Sequence, residues 1–418
     1  MSMKFLYLLF ASVIIVGANE LDFLDEIDSD VAVFEEDKSA LNIRTKISFL
    51  KNSHSDDAKT FYLNVREHAT HYLYDFRVIA DEDIQSFNVK ELYYQGKFAK
   101  NSFYEIGRIN IKEGIARGYN PTDYFKGTTS LTLSNDTKER KDNRLGAILF
   151  SETLFLDKFT LKGIYSPKIS VDKNTFLSDV EHVGLHLDET NYHDRASLYV
   201  DYSGFKDITS SIILHYNEDN LNFGINLSYV YSNWIFYVEN SLKRAQNDIT
   251  KSIYTMSEHP LIEEKFAQKN SYINEVSVGF NYTSESNIVT TVEYIFNSAG
   301  LDSADWEDWF VLGKQNLSLG GTLSTLRGKI AEDESLMSQD SFFIFSRVSD
   351  IQTNLDASFL AWLNPYDGST LSQIGLEYAY DDSMQTNFYF RNYQGNKESE
   401  YGSFPNDYEF LIEGEYFF

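Results

Sequence analysis

The amino-acid sequence predicts an all-β fold, a single antiparallel up-and-down transmembrane β-barrel of about 18 strands, with about 16 to 20 allowed. Three observations predict it. Apolar and polar residues alternate along many segments, the connections between these segments alternate in length, and the last segment ends on the aromatic residue Phe418. Short periplasmic turns and long extracellular loops are part of this prediction.

The composition favours such a barrel over a soluble enzyme. Aromatic residues make up 16% of the 418 residues, with 29 Tyr and 32 Phe, whereas there are 5 Pro. A membrane barrel needs aromatic rings at both interfaces and few interruptions of its hydrogen-bonded ladder. After the N-terminus, no window of about 18 consecutive apolar residues occurs, so we expect the chain to cross the membrane as strands.

The N-terminus has the pattern of a secretory signal peptide. Lys4 supplies a positive charge, Phe5 to Val16 is an apolar run, and small residues follow up to Ala18. We expect residues 1–18 to be a Sec signal peptide, residues 19–40 to form an acidic periplasmic segment, and residues 41–418 to form the barrel. The acidic segment is too short to be the plug domain of an active-uptake receptor.

Alternation with a period of two places one set of side chains on each face of a strand. The clearest run alternates Leu221, Phe223, Ile225, Leu227, Tyr229 and Tyr231 with polar or small residues, and the pattern recurs over 275–282, 351–359, 374–380 and 388–390. About 16 strong segments follow Arg144, and weaker ones lie between Leu41 and Leu133. A soluble β-sandwich also alternates, so the pattern alone leaves both folds open.

The connections distinguish the two folds. Read back from the C-terminus, the predicted long connections are 392–407, 364–370, 328–340, 297–310 and 243–271, and the predicted short ones are 381–383, 349–350, 320–321, 284–287 and 232–233. This alternation is typical of an up-and-down membrane barrel and not of Greek-key wiring. We expect the last strand to run toward the periplasm and the long loops to lie outside.

The last strand carries an independent signal. Phe410, Ile412, Gly414, Tyr416 and Phe418 share one face. Such an ending resembles the signal that the barrel-assembly machinery of Gram-negative bacteria recognises. The resemblance implies an assembly role for Tyr416 and Phe418, and a location in the cell outer membrane in contact with lipid and lipopolysaccharide. An ordinary C-terminal strand is the alternative.

Charge and residue content exclude several kinds of site. The net charge of −27 argues against nucleic acid as a partner, and a chain without Cys has no disulfide and no thiolate metal site. Val183, Leu185 and Leu187 alternate as in a strand, which would hold His182 and His186 about 13 Å apart, too far to share a metal ion. We predict no cofactor and no metal.

The most distinctive text is Gly107–Gly114 (G-R-I-N-I-K-E-G) followed by Asn120–Phe125 (N-P-T-D-Y-F). It resembles the G-R-x-x-x-x-W-G and N-P-x-D-[YF]-F segments of porin-like outer-membrane families, including those related to alginate-export channels. Glu113 stands where those families usually have Trp. Residues 293–297 and Trp306–Phe310 look like a strand and an aromatic external loop of the same barrels. The resemblance implies a porin-like barrel and leaves the substrate undefined.

Two interpretations of this segment remain open. In the first it folds into the lumen, where Arg108, Lys112, Arg117 and Asp123 line a constriction and the cations meet a solute carboxylate or phosphate. In the second it is a structural turn whose charges pair with lumenal carboxylates. The long connection 243–271 similarly either folds over the mouth or inward, or is an ordinary surface loop.

Three classes of function remain. A barrel of about 18 strands encloses an aqueous lumen unless it is filled, which favours a channel for diffusion of small hydrophilic solutes or export of a polar or charged substrate. A surface barrel for adhesion, binding or a structural role is the alternative. No nucleophile–base or metalloprotease motif occurs, so we expect no enzyme. Neither the solute nor the oligomeric state follows from the sequence.

Overall fold

The computed structural model describes residues 40–81, 85–126, 131, 137–170, 185–218, 220–245, 248–256, 260–267, 271–315, 317–332 and 336–418. The signal peptide and nearly all of the acidic segment expected at the N-terminus lie outside these residues, as do His182 and Val183. Among the described residues, no helix is both long and apolar enough to cross a membrane.

The strands are β1 Ala40–Asn52, β2 Ala58–His68, β3 Tyr72–Ala80, β4 Gln85–Ala99, β5 Ser102–Ile109, β6 Ala147–Phe155, β7 Phe159–Ser166, β8 Arg195–Phe205, β9 Ile208–Asn217, β10 Asn220–Tyr231, β11 Trp234–Ala245, β12 Ser271–Thr283, β13 Ile288–Asn297, β14 Asp340–Gln352, β15 Leu355–Leu363, β16 Thr370–Asp381, β17 Met384–Gln394 and β18 Tyr408–Phe417. The helices are α1 Thr137–Asp142, α2 Leu187–Thr190, α3 Asp248–Met256, α4 Pro260–Phe266, α5 Ser303–Gln315 and α6 Leu317–Glu332.

The 18 strands form one closed sheet in which each strand pairs antiparallel with its sequence neighbours. Closure comes from β1, which pairs with β2 on one side and with β18 on the other, from Arg44 opposite Phe417 to Asn52 opposite Glu409. The predicted up-and-down barrel of about 18 strands is confirmed. The expected distribution of strands along the chain, with about 16 after Arg144, is wrong, because five strands precede Arg144 and thirteen follow it.

The two ends of the barrel differ in their connections. At one end, the short-turn end, lie 69–71, 100–101, 156–158, 206–207, 232–233, 284–287, 353–354 and 382–383. Several of these turns contain a residue in the left-handed region, such as Asp207 at φ 61° and Asn354 at φ 64°, which suits a tight hairpin between twisted strands. The opposite, long-loop end carries 110–146, 167–194, 246–270, 298–339 and 395–407, together with four shorter connections.

Strand alternation separates an apolar outer face from a polar interior. On β18, Phe410, Ile412 and Tyr416 are exposed, whereas Glu413 and Glu415 are buried on the opposite face. Exposed aromatic side chains ring the short-turn end, among them Phe98, Phe159, Phe205, Tyr231, Tyr380, Tyr416 and Phe418. An apolar outer band with aromatic residues at its rim is the surface that a barrel in lipid requires.

Four helices at the long-loop end form a second core, which we call the helical cap (α3–α6). Its buried side chains are Ile249, Ile253, Ile262, Phe266, Leu301, Trp306, Trp309, Leu312, Leu319, Leu323, Leu326, Ile330 and Met337. The predicted tight turn at Gly320-Gly321 is therefore wrong, because both glycines lie within α6. The connection 243–271 supplies α3 and α4 to this cap.

From Leu185 onward, where the structure describes this segment, the strand expected around His186 is not formed. Leu187–Thr190 forms α2 instead, and the N–H groups of Thr190 and Asn191 donate to the carbonyls of His186 and Leu187 at 3.0 and 2.9 Å. These local helical hydrogen bonds replace a strand ladder because His186 adopts a left-handed conformation (φ 46°), which turns the chain.

Candidate functional site

The connection after β5 crosses the interior of the barrel, and we call its residues 110–126 the inward loop. The backbone N–H groups of Ile115 and Ala116 donate to the carboxylate of Glu239 on β11, the latter at 2.9 Å. Further along, the N–H group of Gly118 donates to Glu293 on β13 at 2.8 Å. In the ring of 18 strands β13 lies nearly opposite β5, so the loop spans the lumen.

Neighbouring strands hold the loop as well. Ser277 on β12 donates to the carbonyl of Tyr119 at 2.6 Å, and the hydroxyl groups of Tyr124 and Ser241 lie 2.9 Å apart. Together these contacts attach the loop to the inner wall from β11 to β13.

Close packing explains why two positions of the loop, Gly114 and Gly118, are glycine. A Cβ atom on Gly118 would lie 2.6 Å from the ring of Phe343 and 2.7 Å from the carboxylate of Glu293. Gly114 has φ +85°, and a Cβ atom there would overlap the side chain of Asn120. A larger residue at Gly118 would displace the loop from the wall, and one at Gly114 would displace the side chain of Asn120.

The Asn-Pro pair sets the turn of the loop. The Asn120 side chain accepts the Thr122 N–H group at 3.0 Å, and its amide nitrogen donates to the carbonyl of Glu113. These two bonds form a side-chain turn at Asn120. Asp123 forms an ion pair with Arg144 at 2.8 Å, and both side chains are 1% exposed.

The end of the loop packs into an apolar part of the lumen. Ile109, Ile111, Ala147, Leu149, Ile164, Tyr199 and Ile213 form a buried cluster with Tyr124 and Phe125 against it. The ring of Tyr124 stacks on His215 with centroids 4.5 Å apart. Burial raises the pKa of the Tyr124 hydroxyl, because the charged phenolate would be poorly solvated there.

The four residues predicted to line a constriction lie in different surroundings. Arg108 is on the face of β5 that it shares with the exposed Ile106, is itself buried, and donates to the carbonyl of Leu185. Lys112 pairs with Asp142 at 2.7 Å. The guanidinium of Arg117 lies over Phe345, 3.3 Å from the ring centroid. The structure thus brings Arg117 and Asp123 into the interior and leaves Arg108 apart from them.

On the other side of the lumen an opening remains, which we call the polar cavity. Its volume is about 240 Å³. It is lined by Arg44, Lys46, Tyr62, Asn64, Arg77, Asp142, Asn143, Glu377, Gln385, Asn387, Tyr389, Glu413 and Glu415. These residues come from β1–β3, from β16–β18 and from the chain just after the inward loop. The cavity therefore lies beside the loop.

Ion pairs organise the charges of this cavity. Glu415 pairs with Arg44, and Glu413 pairs with Lys46 at 2.7 Å, each bridging β18 and β1. Glu377 pairs with Arg347 at 2.8 Å. Because a buried or half-buried carboxylate needs a partner for its charge, these pairs stabilise the polar inner wall.

Sequence reasoning missed Glu239 and Glu293, the two carboxylates that hold the inward loop. Both are buried, with 0% exposure. The segment beginning at Glu293 was identified as a strand, and inward-facing acids were expected, but no local pattern marks these two among 63 acidic residues. Their role depends on contacts with residues more than 100 positions away.

No family model matches the sequence. No curated protein matches it either. The fold, in contrast, is similar to that of solved structures. The outer membrane protein OpdK from Pseudomonas aeruginosa is 7% identical, with a TM-score of 0.53 over 91% of this chain and 99% of that chain. OccAB1 from Acinetobacter baumannii is 10% identical, with a TM-score of 0.53 over 93% and 98%.

A third similar structure is the outer membrane protein OprD from Pseudomonas aeruginosa, 10% identical, with a TM-score of 0.51 over 93% of this chain and 96% of that chain. At such identities the likeness concerns the fold. Because more than 90% of each chain is covered, the similarity extends over the barrel and is not confined to one part of it. The chain from Ala40 to Phe417 therefore forms an 18-stranded barrel whose fold is similar to that of these outer membrane proteins.

Proposed function

We propose that the protein is a channel of the Gram-negative outer membrane through which small hydrophilic solutes diffuse. The observation that carries the proposal is the polar cavity of about 240 Å³ beside the inward loop. The loop occupies the side of the lumen between β5 and β13, and polar side chains line the space that is left. A barrel of this width with such a space suits passage of solutes better than a filled barrel does.

The outer surface supports the membrane location. Apolar and aromatic side chains cover the outward faces of the strands, and Tyr416 and Phe418 end the last strand on that face. We propose that this ending is the signal for the barrel-assembly machinery, that lipid and lipopolysaccharide surround the barrel, and that residues 1–18 direct export. In this orientation the short-turn end lies in the periplasm and the helical cap lies outside.

Within the channel the inward loop forms the constriction. We propose that Arg117 and Asp123 act by holding the loop in place, since their charged groups contact Phe345 and Arg144. Lys112 acts next to the path, because its partner Asp142 lines the polar cavity. Arg108 is left out of the path, because it lies on the outer face of β5.

A surface-binding role is the second candidate, and the helical cap is the observation that favours it. Its own apolar core makes it a folded unit rather than a simple loop, and such a unit at the cell surface can serve recognition. A binding barrel does not require conduction, so conductance separates the two candidates.

Single-channel recording in a planar bilayer tests the proposal. The mature chain, refolded in detergent and shown to be folded by its heat-modifiable mobility, is inserted into the bilayer under a salt gradient. Discrete open levels with a definite zero-current potential are expected. A folded barrel that never conducts would contradict the channel and favour surface binding.

A further inference from the structure

We propose that the polar cavity admits neutral polyhydroxylated solutes, such as small sugars and polyols, in preference to ions. This inference rests on the channel function proposed above. It concerns the chemistry of the residues that line the cavity, and it differs from what the net charge of −27 suggests, which is a preference for cations.

The carboxylates of the cavity are all paired. Glu415 has Arg44, Glu413 has Lys46, Glu377 has Arg347 and Asp142 has Lys112 as its cationic partner. A cationic solute that enters must compete with a tethered cation for each carboxylate, and an anionic solute must compete with a tethered carboxylate. For either kind of ion, the interaction with the paired charges of the wall does not compensate for the lost hydration. The cavity therefore disfavours both cations and anions.

Each of the three cations of the lining also lies over an aromatic ring, and Arg44 lies over Phe417 at 5.3 Å from the ring centroid. The ring of Tyr62 lies under both Lys46 and Arg77, with centroid distances of 4.8 and 5.7 Å. Arg77 also donates to the side-chain oxygen of Asn64 at 2.8 Å. Because these contacts fix the cations against the wall, they weaken their attraction for a passing anion.

Charge pairing continues elsewhere in the interior. Lys90 pairs with Asp75 at 2.9 Å, and Lys243 pairs with Glu275 at 2.6 Å. Arg391 and Glu409 lie 3.3 Å apart near the long-loop ends of β17 and β18. The acidic excess of the whole chain is therefore a poor guide to the charge that a solute meets inside.

Hydroxyl groups fit the remaining chemistry. The lining contains four side-chain amides, Asn64, Asn143, Gln385 and Asn387. An amide presents a donor and an acceptor together, as a hydroxyl group does, and a paired carboxylate still has lone pairs to accept an O–H. A neutral polyol can exchange its water hydrogen bonds for these without breaking an ion pair. The volume of about 240 Å³ lies below the ~300–1,000 Å³ of pockets for drug-sized ligands, which suits a monosaccharide or short polyol.

Swelling of proteoliposomes that contain the full barrel tests the inference. Three solutes of similar size are compared: mannitol, which is neutral, gluconate, which is an anion, and glucosamine, which is a cation. We expect mannitol to enter severalfold faster than either ion. In a potassium chloride gradient the zero-current potential should lie close to zero.

Breaking one pair should change this selectivity. Glu413→Gln removes the carboxylate that lies 2.7 Å from Lys46, so we expect faster entry of gluconate relative to mannitol and a zero-current potential shifted toward anions. Glu377→Gln should shift it in the same direction with less strain on the fold, because Arg347 keeps Asp356 at 2.7 Å. Glu285→Gln removes the same charge from an exposed turn at the short-turn end and is the matched control.

Each outcome decides something. Faster entry of gluconate or glucosamine than of mannitol into wild-type liposomes overturns the inference and leaves the channel intact. Equal selectivity of wild type, Glu377→Gln and Glu413→Gln overturns the pairing argument. A folded barrel that passes none of the three solutes overturns the channel itself, and the inference with it.

Discussion

Glu293 accepts the backbone N–H group of Gly118 at 2.8 Å, across the lumen from the strand that precedes the loop. The other oxygen of the same carboxylate accepts the N–H group of Arg117 and the hydroxyl group of Tyr237, both at 2.6 Å. A carboxylate that accepts several donors in a buried place forms strong, directional hydrogen bonds. The position of the inward loop is thus determined by side chains of the opposite wall.

Removing both loop anchors should widen the path. In Glu239→Ala with Glu293→Ala the backbone N–H groups at Ile115–Gly118 lose their acceptors, so we expect the loop to leave the wall. Single-channel conductance should then be higher and noisier than in wild type. Glu285→Ala, in an exposed turn, is the control. Wild-type conductance in a folded double variant would contradict the anchoring role.

The ion pair of Asp123 with Arg144 should be important for stability. Asp123→Asn leaves the charge of Arg144 in a site where both side chains are 1% exposed. Breaking a buried pair in this way costs about 3–5 kcal/mol. Denaturant unfolding monitored by tryptophan fluorescence measures the loss. Asp308→Asn breaks the exposed pair with Lys265, for which about 0–1 kcal/mol is expected. An equal decrease in the free energy of unfolding in the two variants would contradict the role of burial in this ion pair.

The terminal aromatic residue should matter for assembly in cells. Phe418 is 72% exposed, yet its backbone N–H group donates to the carbonyl of Ile43 at 2.9 Å and so completes the pairing with β1. We expect Phe418→Ser to reduce the amount of folded barrel in the outer membrane. Phe98→Ser removes an aromatic side chain of similar exposure (62%) from the same rim and should have a smaller effect. Similar amounts of both variants would contradict the assembly signal.

The helical cap should lose stability as pH rises. Burial raises the pKa of Glu400 above its ordinary value of 4.5, and nearby Arg327 acts in the opposite direction. A carboxyl whose pKa is higher in the folded state stabilises that state below its ordinary pKa, and this contribution is lost as pH rises through the folded value. Glu400 accepts hydrogen bonds from Ser338 and Asn364, at 2.7 and 2.9 Å. Trp306 of α5 donates to the same Ser338 hydroxyl at 2.9 Å, and Arg327 of α6 donates to the backbone carbonyl of Glu400, so these contacts connect Glu400 to the cap.

Hydrogen exchange of the α5 and α6 amides, corrected for intrinsic rates, measures this effect between about pH 5 and about pH 8. We expect the free energy of opening to fall with pH in wild type. Glu400→Gln cannot ionise and should give a flatter profile. A cap that gains stability with pH, or an equal slope in both proteins, would contradict the assignment to Glu400.

The barrel could be predicted from the sequence because its signals are local. Apolar and polar residues alternate along each strand, short and long connections alternate between strands, and the last strand ends on an aromatic residue. The error at Gly320-Gly321 arose from treating a glycine pair as a hairpin turn. Leu319, Leu323, Leu326 and Ile330 follow the spacing of a helix, and all are buried in the cap. That spacing was the signal that outweighs the two glycines.

The site could be predicted only in part. The G-R and N-P-x-D segments drew attention to the residues of the inward loop, because glycines and an Asn-Pro pair are recognisable in the local sequence. The local sequence does not show which charged side chains face the lumen. Side chains two residues apart on a strand point to the same face, and Arg108 therefore shares the outer face of β5 with Ile106. Its pairing partner on β6 is Ile148. The loop anchors Glu239 and Glu293 depend on contacts between distant strands.

The pairing of β1 with β18 has a consequence for the synthesis and assembly of the protein. The last strand of the sheet is needed to pair with the first, so a partly assembled ring still has edges with unpaired backbone groups. A chain cut short by even one strand presents two open edges to the lipid, where unpaired backbone groups are very costly. Premature termination or C-terminal trimming therefore yields no smaller working barrel, and complete synthesis is checked by closure itself.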